Sequence, residues 1–347
     1  MAYLVQELNK IGVKNYLAIR KGSELENFCK LNGFQYFYAT YSNSFDILSA
    51  LKVKEICNSM GIDIIHMHTS NAHGIGVLSV LFGNKTRMIL SRRVDFRLKS
   101  NLLSQWKYNH IAIKRILCVS TKIKEIMQQE VVNKDKCITV YSGIDVSKFT
   151  PSVAGENQLR TEFKISSEYV LIGNTSALVN HKDYFTFIDT ISHLINSKTK
   201  VHAFIIGEGS LKVELQDYIK EKGLDKDITF AGFRNDIKNI LPCLDIFLMT
   251  SKEEGLGTSI LDAFCAKVPV VATKAGGIPE MVVHQQTGML AHIGDSKTLA
   301  QYVTTLINNP ELKAKIIFNA LETVQKFSKE ATAAKTFEIY KQVLREN

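Results

Sequence analysis

The sequence predicts an α/β protein made of two doubly wound domains, each a parallel sheet covered by helices on both faces. Three observations carry this. The chain has 347 residues, more than a single hydrophobic core usually serves. Short apolar runs of strand length alternate with helical stretches, the pattern of parallel sheets buried on both sides. The alternation falls into two series, parted by the turn-rich stretch "YSGIDVSKFTPSVAGENQ" with Pro151 and Gly155.

In the first series the strands are expected at 16–20, 62–66, 88–91, 116–119 and 138–141. In the second they are expected at 169–173, 202–207, 228–231, 246–250, 268–273 and 288–291. Helical patterns such as "SLKVELQDYIKEKGL" and "SILDAFCAK" lie between them. The closing "KEATAAKTFEIYKQVLREN" is one amphipathic helix that offers Phe337, Ile339, Tyr340, Val343 and Leu344 for packing. The opening reads as helix, stop at Gly12, then strand. A doubly wound domain normally opens on a strand and a glycine-rich turn, so both are expected to be missing from the start of this sequence. The expected organisation is a first domain over 1–148, a second over 149–328, and a helix over 329–347 that packs back on the first.

Composition narrows the class. Hydrophobic residues make up 45% and charged residues 22%, ordinary values for a soluble globular protein. No apolar run reaches the roughly 18–20 residues of a membrane span, and the start does not read as a signal peptide. Six scattered cysteines with no CxxC pair read as reduced core residues of a cytoplasmic protein, without structural zinc. Charge is uneven: residues 1–150 hold 21 Lys+Arg against 11 Asp+Glu, and the remainder 22 against 23. Between Lys85 and Lys124, 11 basic residues face one acid, Asp95. Such a field favours an anionic partner, although a solvated helix face accounts for it equally well.

The chemistry gathers in "SKEEGLGTSILDAFCAKVPVVATKAGGIPE", residues 251–280. Glu254 falls in the loop between a strand and a helix, where ligands of open α/β sheets bind. Gly255, Leu256, Gly257 and Thr258 lead into the helix, whose first amides favour phosphate. Asp262 follows about one turn into the helix. Carboxylates so placed accept hydrogen bonds from vicinal hydroxyls, so the pattern suits two polyols with a pyrophosphate between them. The plain alternative is an acid near a helix start and a second one in solvent. Gly276-Gly277 offers further amides one strand later, and Lys182 stands in the loop after the first strand of this domain.

These residues resemble the nucleotide-sugar signature of the retaining, family 4 glycosyltransferases of the GT-B fold. The carrying motifs are Ser251-x-x-Glu254-Gly255, Leu261-Asp262-Ala263, Pro269-Val270-Val271-Ala272-Thr273 and Gly276-Gly277-Ile278-Pro279-Glu280. "ILCVSTKIKE", "ITVYSGIDVSKF", "FIIGEGSLKVEL" and "ITFAGFRNDI" follow in the family's order. The resemblance implies two Rossmann-like domains facing a central cleft, with the last helix crossing back to the first. It implies transfer of a sugar from a nucleotide-diphosphate donor to a lipid-linked or cell-surface glycan acceptor. In that scheme Glu254 contacts the donor sugar, Asp262 the ribose and Lys182 the pyrophosphate. Gly207 and Gly209 shape the nucleotide loop, Phe233 lies near the base, and the amides of Leu256, Gly257 and Thr258 face sugar and phosphates. No metal and no cofactor are expected, because the nucleotide sugar is a substrate.

Four departures from the family pattern stand out. Asp262 replaces a glutamate. Ala177 or Ser176 stands where an arginine usually precedes the phosphate lysine. Arg92 stands where the first domain usually carries a histidine, and it is counted with Glu254, Lys182 and His68 among the candidate catalytic residues. The opening glycine-rich loop is absent. His66 and His68 end a strand. A metal there needs a third ligand such as His73 and is not expected; His68 suits an acceptor or sugar contact as well as a structural role. "SRRVDFRLKSNLLSQWKYNHIAIKR" is basic, amphipathic and tryptophan-bearing, which suits an anionic membrane surface. The expected location is therefore the inner face of the membrane, peripherally, and no nucleic-acid motif is visible. The alternatives are a non-catalytic partner protein that keeps the fold and another GT-B activity such as a nucleotide-sugar epimerase.

Overall fold

The computed structural model describes residues 1–94, 102–149 and 158–346. The chain forms two compact units, Met1–Gly143 with the chain from Lys329 on, and Ile144–Ser328.

In the first unit the strands are β1 (Tyr16–Ile19), β2 (Gln35–Tyr38), β3 (Ile64–Met67), β4 (Arg87–Arg92), β5 (Ile113–Cys118) and β6 (Cys137–Thr139). All pairings are parallel, but they form two separate sheets, β1-β2 and β3-β4-β5-β6. The helix Lys329–Arg345 belongs here. Its Ile339 and Val343 are buried against Ile89, Leu117 and Val140 of the larger sheet. Its Ala333 meets Leu4 and Leu8 of the first helix, Ala2–Lys10.

The second unit holds β7 (Val170–Thr175), β8 (Val201–Ile206), β9 (Ile228–Gly232), β10 (Ile246–Met249), β11 (Val270–Thr273) and β12 (Met289–Ala291). They make one parallel sheet in the order β12-β11-β10-β7-β8-β9. Counted from β7 this is 3-2-1-4-5-6 read from the β9 edge, a doubly wound sheet whose order reverses between β7 and β10. Every residue of β8, β10, β11 and β12 is buried. Helices on both faces explain why these strands read as largely apolar runs instead of alternating ones, with only His202 and Thr273 polar. Each fully buried Phe, Leu, Ile or Val contributes about 1.5–3 kcal/mol of transfer free energy, so this sheet anchors its loops firmly.

The eleven expected strands are present, each with ends within three residues of the expected ones. β2 was not expected. Its "QYFY" is a sheet edge with no buried residue, so it carries no apolar signature. The expected boundary at 148 moves to 143. Ile144 bridges to Ser328 and its N–H donates to the Phe327 carbonyl at 3.0 Å, which ties 144–149 to the second unit. Pro151, Gly155 and Asp95 lie outside the described residues. All six cysteines are buried and free of disulfides, and no described helix is long and apolar enough to cross a membrane.

Candidate active site

At the switch point of the second sheet, two loops leave the carboxyl ends of adjacent strands β7 and β10. The loop after β7 carries Lys182 in a single 3-10 turn, Asn180–Lys182. The loop after β10 carries Ser251, Lys252, Glu254 and Gly255. Glu254 is only 7% exposed, and its Oε1 accepts hydrogen bonds from Lys182 Nζ and, at 3.0 Å, from Ser251 Oγ. A carboxylate this deep requires such partners. The two residues of opposite charge, 72 positions apart, thus form one ion pair where a parallel sheet presents its ligand site.

Backbone contacts hold the pair in place. Thr250 Oγ1 donates to the Asp183 carbonyl at 2.8 Å, Lys252 N to the His181 carbonyl at 2.8 Å, and Thr273 Oγ1 to the Ser251 carbonyl at 2.6 Å. Gly277 N donates to the Glu254 carbonyl at 3.0 Å. Gly276, at φ +49°, passes so close that a Cβ there would stand 1.8 Å from that carbonyl oxygen. Only glycine fits such an approach.

Asp183 also adopts φ +49°, a left-handed backbone that is uncommon outside glycine. It caps the helix Tyr184–Asn196 by accepting from the Thr186 backbone N–H at 3.5 Å, accepts also from Thr186 Oγ1 at 2.7 Å, and pairs with Lys252 Nζ at 3.2 Å. Lys252 is therefore a second cation, on the other loop of the switch point. Sequence reasoning named neither Asp183 nor Lys252. The available signal was Asp183 directly before the helical run "YFTFIDTI", a capping position.

The helix Thr258–Cys265 starts at Gly257, φ +90°, with no side-chain cap, so its first-turn amides keep their positive end toward the loop. Leu256 is buried and Thr258 exposed. Asp262 is half-buried, and burial raises its carboxyl above the usual range, partly offset by Lys148. Next along the sheet edge, Gly207 (φ +149°) and Gly209 let the loop after β8 touch the loop after β7. A Cβ at Gly207 would lie 2.0 Å from the Ser176 carbonyl oxygen, and one at Gly209 2.3 Å from that of Leu178. Phe233, just past β9, exposes 73% of its surface. Every candidate donor-binding residue except Asp262 stands on a loop or helix start at this one edge.

The remaining candidates lie in the first unit. Arg92 ends β4 and its Nη1 donates to Tyr108 Oη at 3.0 Å. His66 Nδ1 meets Tyr340 Oη at 2.7 Å and its Nε2 meets Ser91 Oγ at 2.8 Å, which makes it a structural joint between β3, β4 and the last helix. Burial, then the nearby Arg93, lowers its imidazole to about 3. His68 stacks on His66 at 4.1 Å, its buried Nδ1 has no hydrogen-bond partner, and burial holds it well below the usual histidine range. His73 is committed elsewhere, with Nε2 at 3.1 Å from the Lys107 carbonyl and its ring against Tyr108.

Two parallel-sheet α/β units, the second doubly wound with a cation, a carboxylate and uncapped helix amides at its switch point, match the GT-B class of glycosyltransferases. The comparisons with known proteins carry this to a family. The model for "Glycosyl transferases group 1" matches residues 156–323 and that for "Glycosyltransferase Family 4" matches residues 1–148. The chain belongs to the family 4 glycosyltransferases of the GT-B fold, and it is a sugar-transferring enzyme. It is 25% identical over 313 residues to the N-acetyl-alpha-D-glucosaminyl L-malate synthase of Bacillus anthracis, covering 87% of this chain and 81% of that one. It is 23% identical over 274 residues to the N-acetylgalactosamine-N,N'-diacetylbacillosaminyl-diphospho-undecaprenol 4-alpha-N-acetylgalactosaminyltransferase of Campylobacter jejuni, covering 76% and 72%. Among solved structures, Anabaena HepE in complex with UDP and glucose superimposes with a TM-score of 0.82 at 21% identity, covering 98% of this chain and 95% of that one.

Proposed function

We propose that the Lys182–Glu254 pair is the donor site, and that the enzyme transfers a hexosyl group from a nucleoside diphosphate to a lipid-linked glycan with retained anomeric configuration. The observation that carries this is the pair itself, buried at the switch point and flanked by uncapped amides. The anomeric carbon–oxygen bond to the phosphate breaks, the acceptor oxygen bonds to the anomeric carbon, and its proton passes to an oxygen of the departing nucleoside diphosphate. Charge grows on the departing phosphate. Lys182 and Lys252 stand on the two loops beside it, and fixed cations and amides at such a point supply the largest share of many rate enhancements. Lys252 fills the role of the arginine that the sequence lacks before Lys182. Glu254 binds the sugar hydroxyls, Asp262 the ribose, and exposed Phe233 the base. The complex of HepE with UDP supports a uridine nucleotide, and the undecaprenol-linked substrate in the name of the Campylobacter relative supports a lipid-linked acceptor.

A peripheral membrane location is part of this proposal. Leu102, Leu103, Trp106 and Ile111 are all exposed beside Lys107 and His110, the mixture that suits an anionic interface. Of the same segment, residues 95–101 lie outside the described ones. Sedimentation with vesicles of phosphatidylglycerol tests it: binding that weakens with salt is expected, and absent or salt-insensitive binding would reject it. The donor reading is tested by release of UDP from a panel of UDP-sugars with a polyprenyl-diphosphate glycan. Turnover by the native protein and its loss in Glu254→Gln are expected, and equal turnover by both would reject the assignment.

A further inference from the structure

The pairing of β7 fixes where each of its side chains points. Ile172 stands opposite Ala203 of β8 and Ile246 of β10, and all three belong to the apolar cluster that includes Tyr184, Phe187 and Ile188 of the helix Tyr184–Asn196. Gly173 faces the other way, where a Cβ would stand 2.7 Å from Leu244 Cδ1. Asn174 therefore returns to the face of Ile172. Its neighbours across the sheet, Ile205 of β8 and Leu248 of β10, are apolar and fully buried. Asn174 is itself 0% exposed, yet neither its Oδ1 nor its Nδ2 has a hydrogen-bond partner among the described residues. Buried Asn84 shows the usual arrangement: its Nδ2 donates to Ser79 Oγ at 2.9 Å, and its Oδ1 accepts from Thr86 N at 3.0 Å.

Polar groups begin just past Asn174 on the same face. The ladder with β8 runs on to Ser176, whose N–H donates to the Ile206 carbonyl at 3.1 Å, so Ser176 shares the face of Asn174. Its Oγ lies 2.9 Å from Tyr184 Oη. Thr250, two residues past Leu248, is fully buried, and its Oγ1 donates to the Asp183 carbonyl at 2.8 Å. A hydroxyl has one proton to give and two lone pairs to accept with, so both Tyr184 and Thr250 retain accepting capacity. These contacts also brace the two cation-bearing loops. The first closes the loop after β7, which carries Lys182, and the second ties that loop to the end of β10, two residues before Lys252.

We infer that Asn174 holds an internal water that bridges its amide to the hydroxyls of Tyr184 and Thr250, and that Asn174 is thereby a positioning residue for Lys182 and Lys252. A primary amide sealed among Ile172, Ile205 and Leu248 without partners is worse than a leucine of similar size. A water with two to four polar partners removes that penalty, and the hydroxyls beside Asn174 supply them. A side chain that is 0% exposed does not touch the donor, so Asn174 acts through the loops above it. A satisfied buried network of this kind restricts the backbone it joins. The effect on donor binding rests on the reading of the Lys182–Glu254 pair as the donor site; the water and the stiffening of the loop do not.

The test compares native protein with Asn174→Leu, which removes the amide at similar volume, and Asn174→Ser, which keeps a hydroxyl and leaves room for water. A high-resolution crystal structure of the native protein should show an ordered water in hydrogen-bond contact with Asn174 and with Tyr184 Oη or Thr250 Oγ1. Without nucleotide, amide hydrogen exchange over 176–183 should be about tenfold faster in Asn174→Leu, with the β8 amides unchanged. The KM for a UDP-sugar should rise about tenfold in Asn174→Leu, one hydrogen bond's worth, with kcat changed less than about twofold, and Asn174→Ser should recover most of the loss. Native exchange over 176–183 in Asn174→Leu would overturn the inference. So would density showing the amide bonded directly to protein groups, or no water beside it. The crystal structure and Asn174→Ser decide even where Asn174→Leu does not fold. Failure of the donor reading is distinct, since it shows as no UDP binding by the native protein while loop exchange still responds to Asn174→Leu.

Discussion

Lys182 and Glu254 hold each other in one ion pair, so each is positioned by the other. Removing the lysine leaves a carboxylate that is 7% exposed with Ser251 as its remaining side-chain partner, and breaking such a pair costs about 3–5 kcal/mol. Lys182→Ala is therefore expected to lose stability as well as turnover. Glu254→Gln keeps an acceptor for Ser251, so its melting temperature should change little while turnover falls about 100-fold or more. Thermal melts and single-turnover rates on the two variants and the double variant check this. The double variant should be more stable than Lys182→Ala alone, because the uncompensated charge is gone. Gly276 gives a second contrast. Gly276→Ala drives a methyl into the Glu254 carbonyl and should cost both turnover and stability, whereas Gly294→Ala, at φ +78° with nothing within 4 Å, should cost only the roughly 1–2 kcal/mol of its left-handed backbone. Paired melting curves separate the two.

Among the elements, the helix Tyr184–Asn196 ties the loop that carries Lys182 to the core. Tyr184, Phe187, Ile188 and Ile191 are fully buried, and Asp183 both caps the helix and anchors Lys252. Asp183→Ala should cost about 1 kcal/mol from the lost cap. It should raise the KM for donor more than it lowers kcat, because it frees Lys252 without touching the sugar; steady-state kinetics against donor concentration decide. Elements of this kind were largely legible in the sequence. β10 and β11 appear as "IFLM" and "VVAT" because strands buried on both faces favour apolar residues throughout, the one hydroxyl, Thr273, being paired with the Ser251 carbonyl. The loop positions of Glu254, Lys182 and the glycines were legible because tight turns between strand and helix restrict residue type. What could not be read were pairings. Nothing in the spacing shows that Asp183 reaches Lys252, or that Arg92 spends its guanidinium on Tyr108. β2 was invisible for the opposite reason: a strand with no buried residue leaves no hydrophobic trace.

Across the whole molecule, the two units carry different liabilities. The second has one continuous sheet; the first has its sheet divided and a pair of histidines set into the joint. Folded protein keeps His66 neutral down to about 3, whereas an unfolded chain protonates it near 6.5. Protons therefore bind preferentially to the unfolded chain below 6.5, and the stability of the first unit should fall steadily from that pH to about 3. His66→Gln, which is neutral at every pH, should lessen that slope in urea melts taken between pH 4 and pH 7, with His68 and His73 supplying the remainder. An unchanged slope would place the titration elsewhere.

The claim on which the enzyme's chemistry rests is that its donor sits at the switch point of the second sheet. Crystals of the protein soaked with UDP test it directly. Density for the diphosphate within hydrogen-bond reach of Lys182 Nζ and the amides at Gly257 and Thr258 is the expected result; a nucleotide bound elsewhere, with the Lys182–Glu254 pair intact and no phosphate beside it, would contradict it.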